Sequence, residues 1–315
     1  MKHTKNWYLH LSILAFASLT LLPFYFVINN SFRSNTEMYH SFFGFPKTLE
    51  QLIVCSYKTI KGEKGTIVVN DEQEQISKTL TYKDAVKFYF DSVTRNYKSA
   101  WKVLRPYFLN TFLVVIATAF GVLVFGSVTA YILSRFKFPG NKVIFYYFIS
   151  TMMFPAVLTL VPSFLLVKRL GLLNSRLALI IPEIAGGQVF AIFVFKSFFD
   201  GLPQDLFDSA KIDGAGHFSL YWNLILPLSK PVLSVVLIMN ILGMWNSFLW
   251  PYIVNTDKKY HVIASGLFVL SQTEAAANFG LLYAAYITSS IPLLILFIYA
   301  TKTFIQGMTS GAFKA

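Results

Sequence analysis

The chain has 315 residues, of which 55% are hydrophobic and only 13% charged, with 32 Phe and 17 Tyr. That balance lies outside ordinary soluble domains, and several apolar runs exceed the roughly 18–20 residues that cross a bilayer as a helix. The formal net charge of +12 does not point to nucleic acid, because twelve of the 27 Lys and Arg lie between Arg33 and Arg105, interleaved with eight acids.

The sequence therefore reads as an integral membrane protein. A transmembrane barrel is excluded, since barrel strands alternate polar and apolar residues and these runs do not. Lys2, His3 and Lys5 precede an apolar run from Leu9 to Ile28. A secretory signal has a shorter apolar core, about 7–15 residues, and a small-x-small cleavage site. This run is longer and ends in Val27-Ile28-Asn29-Asn30, so a retained first span with a cytoplasmic N-terminus is expected.

The polar segment 31–105 is the one candidate extramembrane domain. Gly62-Glu63-Lys64-Gly65 before Thr66-Ile67-Val68-Val69 predicts a turn entering a short strand. Val86, Phe90, Val93, Tyr97, Trp101 and Leu104 recur at helical steps, one face of an amphipathic helix from Tyr82 to Leu104. That face suits either internal packing or a docking partner. Cys55 is the single cysteine, so no internal disulfide forms, and no Cys/His cluster points to a metal.

The second span runs from about Tyr107 to Leu133. Ser134-Arg135-Phe136-Lys137-Phe138-Pro139-Gly140-Asn141-Lys142 then marks a short basic turn. The third span, about Val143 to Val167, contains Pro155 and Pro162 and is expected to kink. The fourth covers about Leu177 to Phe199, the fifth about Pro231 to Val254, and the sixth about Phe279 to Thr303. An outer loop, Asn255 to Asn278, separates the last two. Short loops assigned to the cytoplasm hold ten Lys and Arg against five outside, which supports cytoplasmic N- and C-termini.

Between the fourth and fifth spans lies a stretch too structured for a linker, Leu202 to Pro231. Pro203 suits a first helical turn, Asp205 and Asp208 suit a helix N-terminus, and Gly214 and Gly216 can end that helix. Leu206, Phe207 and Ala210 are placed on one face. Left in water, each large side chain would cost about 1.5–3 kcal/mol, which a partner's groove would remove.

Asp208-Ser209-Ala210, then Gly214, then Leu224-Ile225-Leu226-Pro227 resembles the "EAA" loop of ABC importer permeases. Asp208 stands in the Glu place and Leu224 in the Ile place, and both substitutions keep the chemistry. Asn110-Thr111, Ser134-Arg135-Phe136, Phe138-Pro139-Gly140, Met153-Phe154-Pro155, Trp245 to Pro251 and the tail from Gly307 to Lys314 are similar to the maltose-type carbohydrate permeases. The resemblance covers Tyr107 to the end, while segment 31–105 matches nothing in that pattern.

The resemblance implies an all-α membrane protein of six transmembrane helices, the type I importer fold, with a mixed α/β extracytoplasmic insertion. Residues 1–30 would form the tail and first span, 31–105 the insertion, and 106–315 a five-helix permease core with a coupling loop over 200–230. It further implies a second homologous permease subunit, two copies of a cytoplasmic ATPase, an extracytoplasmic solute-binding protein and a bacterial-type inner membrane. Leu206, Phe207, Asp208, Ser209, Ala210, Gly214, Leu226 and Pro227 would carry the coupling. ATP and magnesium would belong to the partner, because this chain has no phosphate-binding loop; Lys61 to Thr66 has the wrong spacing.

Polar residues inside spans are costly and mark candidate substrate contacts. Glu183, followed by Gly186, Gly187 and Gln188, fits either a pathway lining or an interfacial pair with Arg176 or Lys168. Asn240, Trp245, Asn246 and Trp250 combine amides with indole faces, which suits sugar hydroxyls and ring faces but equally helix packing. Tyr283 and Tyr286 are further candidates. By position, Ser271, Gln272, Thr273 and Glu274 could reach a binding protein, and His217 and His261 read as structural. An oligosaccharide or sugar derivative is the expected cargo; a peptide, a phosphate ester or a self-sufficient secondary carrier is the alternative.

Overall fold

A computed structural model of the protein describes residues 7–71, 76–273 and 278–312. Among the described residues four helices are long and apolar enough to cross a membrane: Trp7–Ser31, Tyr82–Arg135, Leu177–Asp200 and the Phe279–Thr301 part of a longer helix. Two further candidates are broken, Asn141–Thr151 with Ala156–Arg169 bent by 98°, and His217–Leu228 with Lys230–Asn246 bent by 75°. Counted as one span each, the bent pairs bring the total to six. The all-α membrane class therefore holds, with the only described strands in the segment after the first span.

The break in the third span has a local cause. The kink expected in the third span is a full break: Pro155 has no N–H to donate and disfavours helical backbone at Phe154, so the chain turns sharply between Thr151 and Ala156. The fifth span is shorter than its apolar run. Its helix ends at Asn246, Ser247 is extended, and a second helix covers Leu249–Val254. Pro251 fits there because it lies in the first turn, where an N–H has no intrahelical acceptor.

The amphipathic stretch and the second span are one helix, Tyr82–Arg135, continuous through Pro106. Lys102 and Pro106 are both exposed, so the carbonyl freed by the proline can be satisfied from outside. The buried stripe is Ala85, Tyr89, Val93, Asn96, Ala100 and Leu104. It lies beside the face read from hydropathy: Val93 and Leu104 are on it, whereas Phe90 and Trp101 are exposed. Two buried polar-tipped residues, Tyr89 and Asn96, shift the stripe.

The chain divides into two compact units. The first comprises residues up to Arg105 with Leu267–Ile291. In it, strands Thr66–Asp71 and Ile76–Thr81 pair antiparallel with Thr66 opposite Thr81. Cys55 of the helix Lys47–Ile60, Val69, Ala85 and Tyr89 form its core, and burial pushes the Cys55 thiol up. Arg33, read from sequence as one charge among many, is only 2% exposed. It donates to Asn30 Oδ1 at 2.8 Å and to the carbonyls of Glu37 (2.6 Å), Phe42 (3.2 Å) and Ser41, so the turn after the first span folds around its guanidinium.

The second unit comprises Pro106–Gly266 with residues from Pro292 onward. One of its cores joins Val122, Phe195, Phe199, Phe207, Ile225 and Val236; the other joins Val114, Leu179, Met244, Val254 and Val262. Small residues let helices approach closely, as expected for packing between spans. A Cβ on Gly126 would lie 2.7 Å from that of Ala191.

Candidate functional site

The stretch between the fourth and fifth spans folds as a short helix, Asp205–Ile212, followed by the helix His217–Leu228. Asp205 and Asp208 sit in the first turn. Gly214 adopts φ +83°, which strains any residue with a Cβ. That geometry sends the Gly214 N–H to the Lys211 carbonyl (3.0 Å) and the Ala215 N–H to the Ala210 carbonyl (2.9 Å), a double closure of the helix end. Asp208 is exposed, with Oδ1 accepting from Gln204 Nε2 at 3.0 Å; Ser209 bonds back to the Asp205 carbonyl. Ala210 and Leu226 are half-buried, and Pro227 is exposed.

The expectation that Leu206 and Phe207 share an outward face fails for Phe207. Its ring is 2% exposed, buried in the chain's own core, while Leu206 is exposed. The Arg135 guanidinium lies 3.7 Å from the Phe207 ring centre. It also donates to Gln204 Oε1 (3.2 Å) and to the carbonyls of Leu202 (3.3 Å) and Phe199. Ser134 donates to Asp200 Oδ1 at 2.6 Å, and Lys196 pairs with the other oxygen of the same carboxylate, also at 2.6 Å. Further along, Ser127 and Tyr221 share a 2.7 Å hydrogen bond, and Tyr131 donates to the His217 carbonyl at 3.3 Å. The His217 ring packs on Phe136 at 4.4 Å, a structural role as expected. The end of the second span thus grips the loop at several points.

The apolar surface left outside is built from other residues. Besides Leu206, Ile212 is 86% exposed, Phe218 79% and Trp222 60%. The Phe218 and Trp222 rings stack 6.3 Å apart and nearly parallel. Phe218 was not singled out by the sequence reading; its spacing of four residues from Trp222 on a helix was the available signal.

Among the substrate-path candidates, Glu183 and Asn240 meet. They line a cavity of about 150 Å³ with Gly187, Val122, Val236 and Gly243. Asn240 Oδ1 is buried with no hydrogen-bond partner. Among the described residues no ion pair reaches Glu183; Arg176 instead donates through Nε and Nη2 to Asn110 Oδ1, at 3.0 and 2.9 Å. Gln188 and Asn246 bond carbonyls of their own helical turns. Trp245 is 5% exposed against Phe108 and Phe112 and so packs helices instead of facing the cavity. Trp250 is likewise held, its indole N–H donating to the Ala178 carbonyl at 3.0 Å. Tyr283 belongs to the other unit, against Phe26 at 5.8 Å.

Asn110 is a junction rather than a surface residue. Its Nδ2 donates to the Lys259 and His261 carbonyls at 2.6 and 3.0 Å, while Thr111 Oγ1 accepts from the Ile263 N–H at 2.8 Å. Buried His261 sits 3.0 Å from Ser265 Oγ, and burial pushes its imidazole below the usual histidine range. The stretch read as an outer loop contains a helix, Ile263–Gln272, with Ile263, Ser265, Gly266 and Leu270 buried. Gln272 and Thr273 are exposed at its end, and Glu274 lies outside the described residues.

Comparison with known proteins agrees with this arrangement. Residues 122–310 match the family model described as "Binding-protein-dependent transport system inner membrane component". The chain is 34% identical over 222 residues, 70% of its length and 74% of the relative's, to the diacetylchitobiose uptake system permease protein NgcG of Streptomyces coelicolor. It is 33% identical over 225 residues, covering 71% and 79%, to the arabinooligosaccharides transport system permease protein AraQ of Bacillus subtilis. A chain from the crystal structure of a bacterial ABC transporter involved in the import of the acidic polysaccharide alginate shares the fold. The TM-score is 0.66 over 96% of this chain and 98% of that one, at 18% identity. With spans, loop and family model in agreement, this chain belongs to the binding-protein-dependent transport system inner membrane components, as a multi-pass subunit of an importer.

Proposed function

We propose that this chain is one of two permease subunits of an ATP-driven importer of oligosaccharides or sugar derivatives, working by alternating access. The observation that carries the reading is the two-faced loop around Asp208 and Gly214. Phe207 and Arg135 lock one face to the spans, and Leu206, Ile212, Phe218 and Trp222 offer an apolar face outward. Such a piece transmits force: a partner that grips the outer face moves the inner one. Only a contact that differs between the partner's states can shift the transporter's equilibrium.

On this reading two cytoplasmic ATPase copies hold ATP and magnesium, and each permease subunit docks on one of them. Asp208, Ser209, Ala210, Leu226 and Pro227 flank the contact, with Gly214 fixing the helix end. The second permease subunit covers the helix Ala156–Arg169, in which Val167 alone is buried. Termini lie in the cytoplasm, residues 31–105 face outward, and Gln272, Thr273 and Glu274 approach a solute-binding protein. The sugar class is supported by the diacetylchitobiose uptake and the arabinooligosaccharide transport named for the two relatives, and by the Glu183–Asn240 cavity, whose acceptors suit hydroxyl donors.

The test is reconstitution with the ATPase and binding protein encoded alongside. Uptake of the binding protein's oligosaccharide ligand should require ATP and fall when Leu206, Phe218 and Trp222 are truncated together. Uptake by this chain alone, without ATP, would make it a secondary carrier. A binding protein specific for peptides or phosphate esters would overturn the sugar assignment.

A further inference from the structure

The turn between the helix ending at Arg135 and the helix beginning at Asn141 encloses an open cavity of about 540 Å³. Lys137 and Lys142 both line it, no carboxylate does, and neither lysine forms an ion pair among the described residues. Leu133, Phe136, Phe138 and Val143 give it apolar surface, and Ser134, Gly140 and Asn141 complete the wall. The turn has a fixed shape: Gly140 adopts φ +86°, and Asn141 Nδ2 donates to the carbonyls of Leu133 (3.1 Å) and Phe136 (2.9 Å). The eleven-residue helix that follows has no side-chain cap at its N-terminus; the turn's own carbonyls take the Asn141 N–H (to Phe138, 3.2 Å) and the Ile144 N–H (to Gly140, 2.9 Å).

Two unpaired cations beside a greasy wall, at the junction of two apolar helices, match the two halves of one ligand. The charged half is a phosphate, and the apolar half is the glycerol and upper acyl region attached to it. The position adds weight, because a turn joining two membrane-inserted helices lies at headgroup depth. We propose that the Lys137–Lys142 turn binds the headgroup of an anionic phospholipid. A free phosphate offers the same charge without the apolar half, and the Leu133, Phe136, Phe138 and Val143 wall would then have no use.

The proposal is independent of the cargo, and its test does not involve transport. The full-length chain is extracted in mild detergent and titrated by native mass spectrometry with phosphatidylglycerol, phosphatidylcholine and inorganic phosphate. Phosphatidylglycerol should bind as a discrete adduct that survives collisional activation. Each Lys-to-Gln change should weaken it about fivefold, and Lys137→Gln with Lys142→Gln about thirtyfold. The double Lys-to-Arg variant should retain the lipid, and its unfolding midpoint, compared with that of the double Gln variant, separates lost binding from lost folding. Equal retention of phosphatidylcholine, or undiminished phosphatidylglycerol in the double Gln variant, would overturn the proposal. Inorganic phosphate binding as tightly as the lipid would reduce the turn to a simple anion site. If the double Gln variant kept its lipid but lost the ATPase, the turn would be reassigned to that partner.

Discussion

Arg135 covers the ring of Phe207 at 3.7 Å while its nitrogens hold the carbonyls of Leu202 and Phe199. One side chain from the end of the second span therefore fixes both the start of the loop and the inward side of its helix. A cation over an aromatic face contributes about 0.5–2 kcal/mol, more as water is excluded, and charged hydrogen bonds about 1.5–3. Lysine cannot reproduce that planar fork. Arg135→Lys should lower stability by about 2–4 kcal/mol and leave ATP hydrolysis running with less transport. Intrinsic-fluorescence unfolding of the purified chain, with paired hydrolysis and uptake assays, checks both parts.

Phe207 and the outer residues should separate cleanly. Phe207→Ala opens a void in a packed core and should cost about 3–5 kcal/mol, seen as a lower unfolding midpoint. Phe218→Ala with Trp222→Ala should change stability by under about 0.5 kcal/mol but weaken ATPase binding at least tenfold. A surface-resonance titration of the ATPase over the immobilised chain distinguishes the two. Equal ATPase affinity in the double variant would remove these rings from the interface.

The Glu183–Asn240 cavity predicts a different signature. Glu183→Gln and Asn240→Ala should each reduce uptake about tenfold, the loss expected from one hydrogen bond to a hydroxylated cargo within a span. A Cβ on Gly187 would sit 3.0 Å from Val122 and 3.3 Å from Asn240. Gly187→Val should therefore narrow the cavity and block uptake of larger oligosaccharides first. Trp245→Ala, by contrast, should act through stability. Uptake compared across cargo lengths, with unfolding midpoints alongside, tells these apart.

His261 predicts a pH dependence with a definite sign. Burial is the larger cause of its lowered pKa, Lys258 acts in the same direction and Asp257 opposes. The folded chain holds the imidazole neutral, whereas the unfolded chain protonates it below about pH 6.5. Stability should be flat above that value and fall as pH drops below it, until the folded pKa is reached. His261→Gln should flatten this part of the profile, measured as unfolding midpoints between about pH 8 and pH 5.5.

The sequence alone determined the membrane class, the approximate position of every apolar run, and a short helix between the fourth and fifth spans with Gly214 at its end. These follow from local properties: hydropathy summed over a span, the backbone freedom of glycine, and the spacing of a motif. Only the tertiary structure decided which way each side chain faces. Leu206 and Phe207 are apolar neighbours, yet one is exposed and the other buried, because Phe207 packs in the core with Phe195, Phe199 and Ile225 under Arg135, some seventy positions earlier. Trp245 and Asn240 read as equally plausible sugar contacts until Phe108 and Phe112 claimed the indole and left the amide facing a cavity. Pro155 and Pro162 marked a kink in the third span but not a 98° bend, and hydropathy did not mark the end of the fifth-span helix at Asn246. Apolar composition sums over a run, whereas the helix depends on where each N–H finds an acceptor.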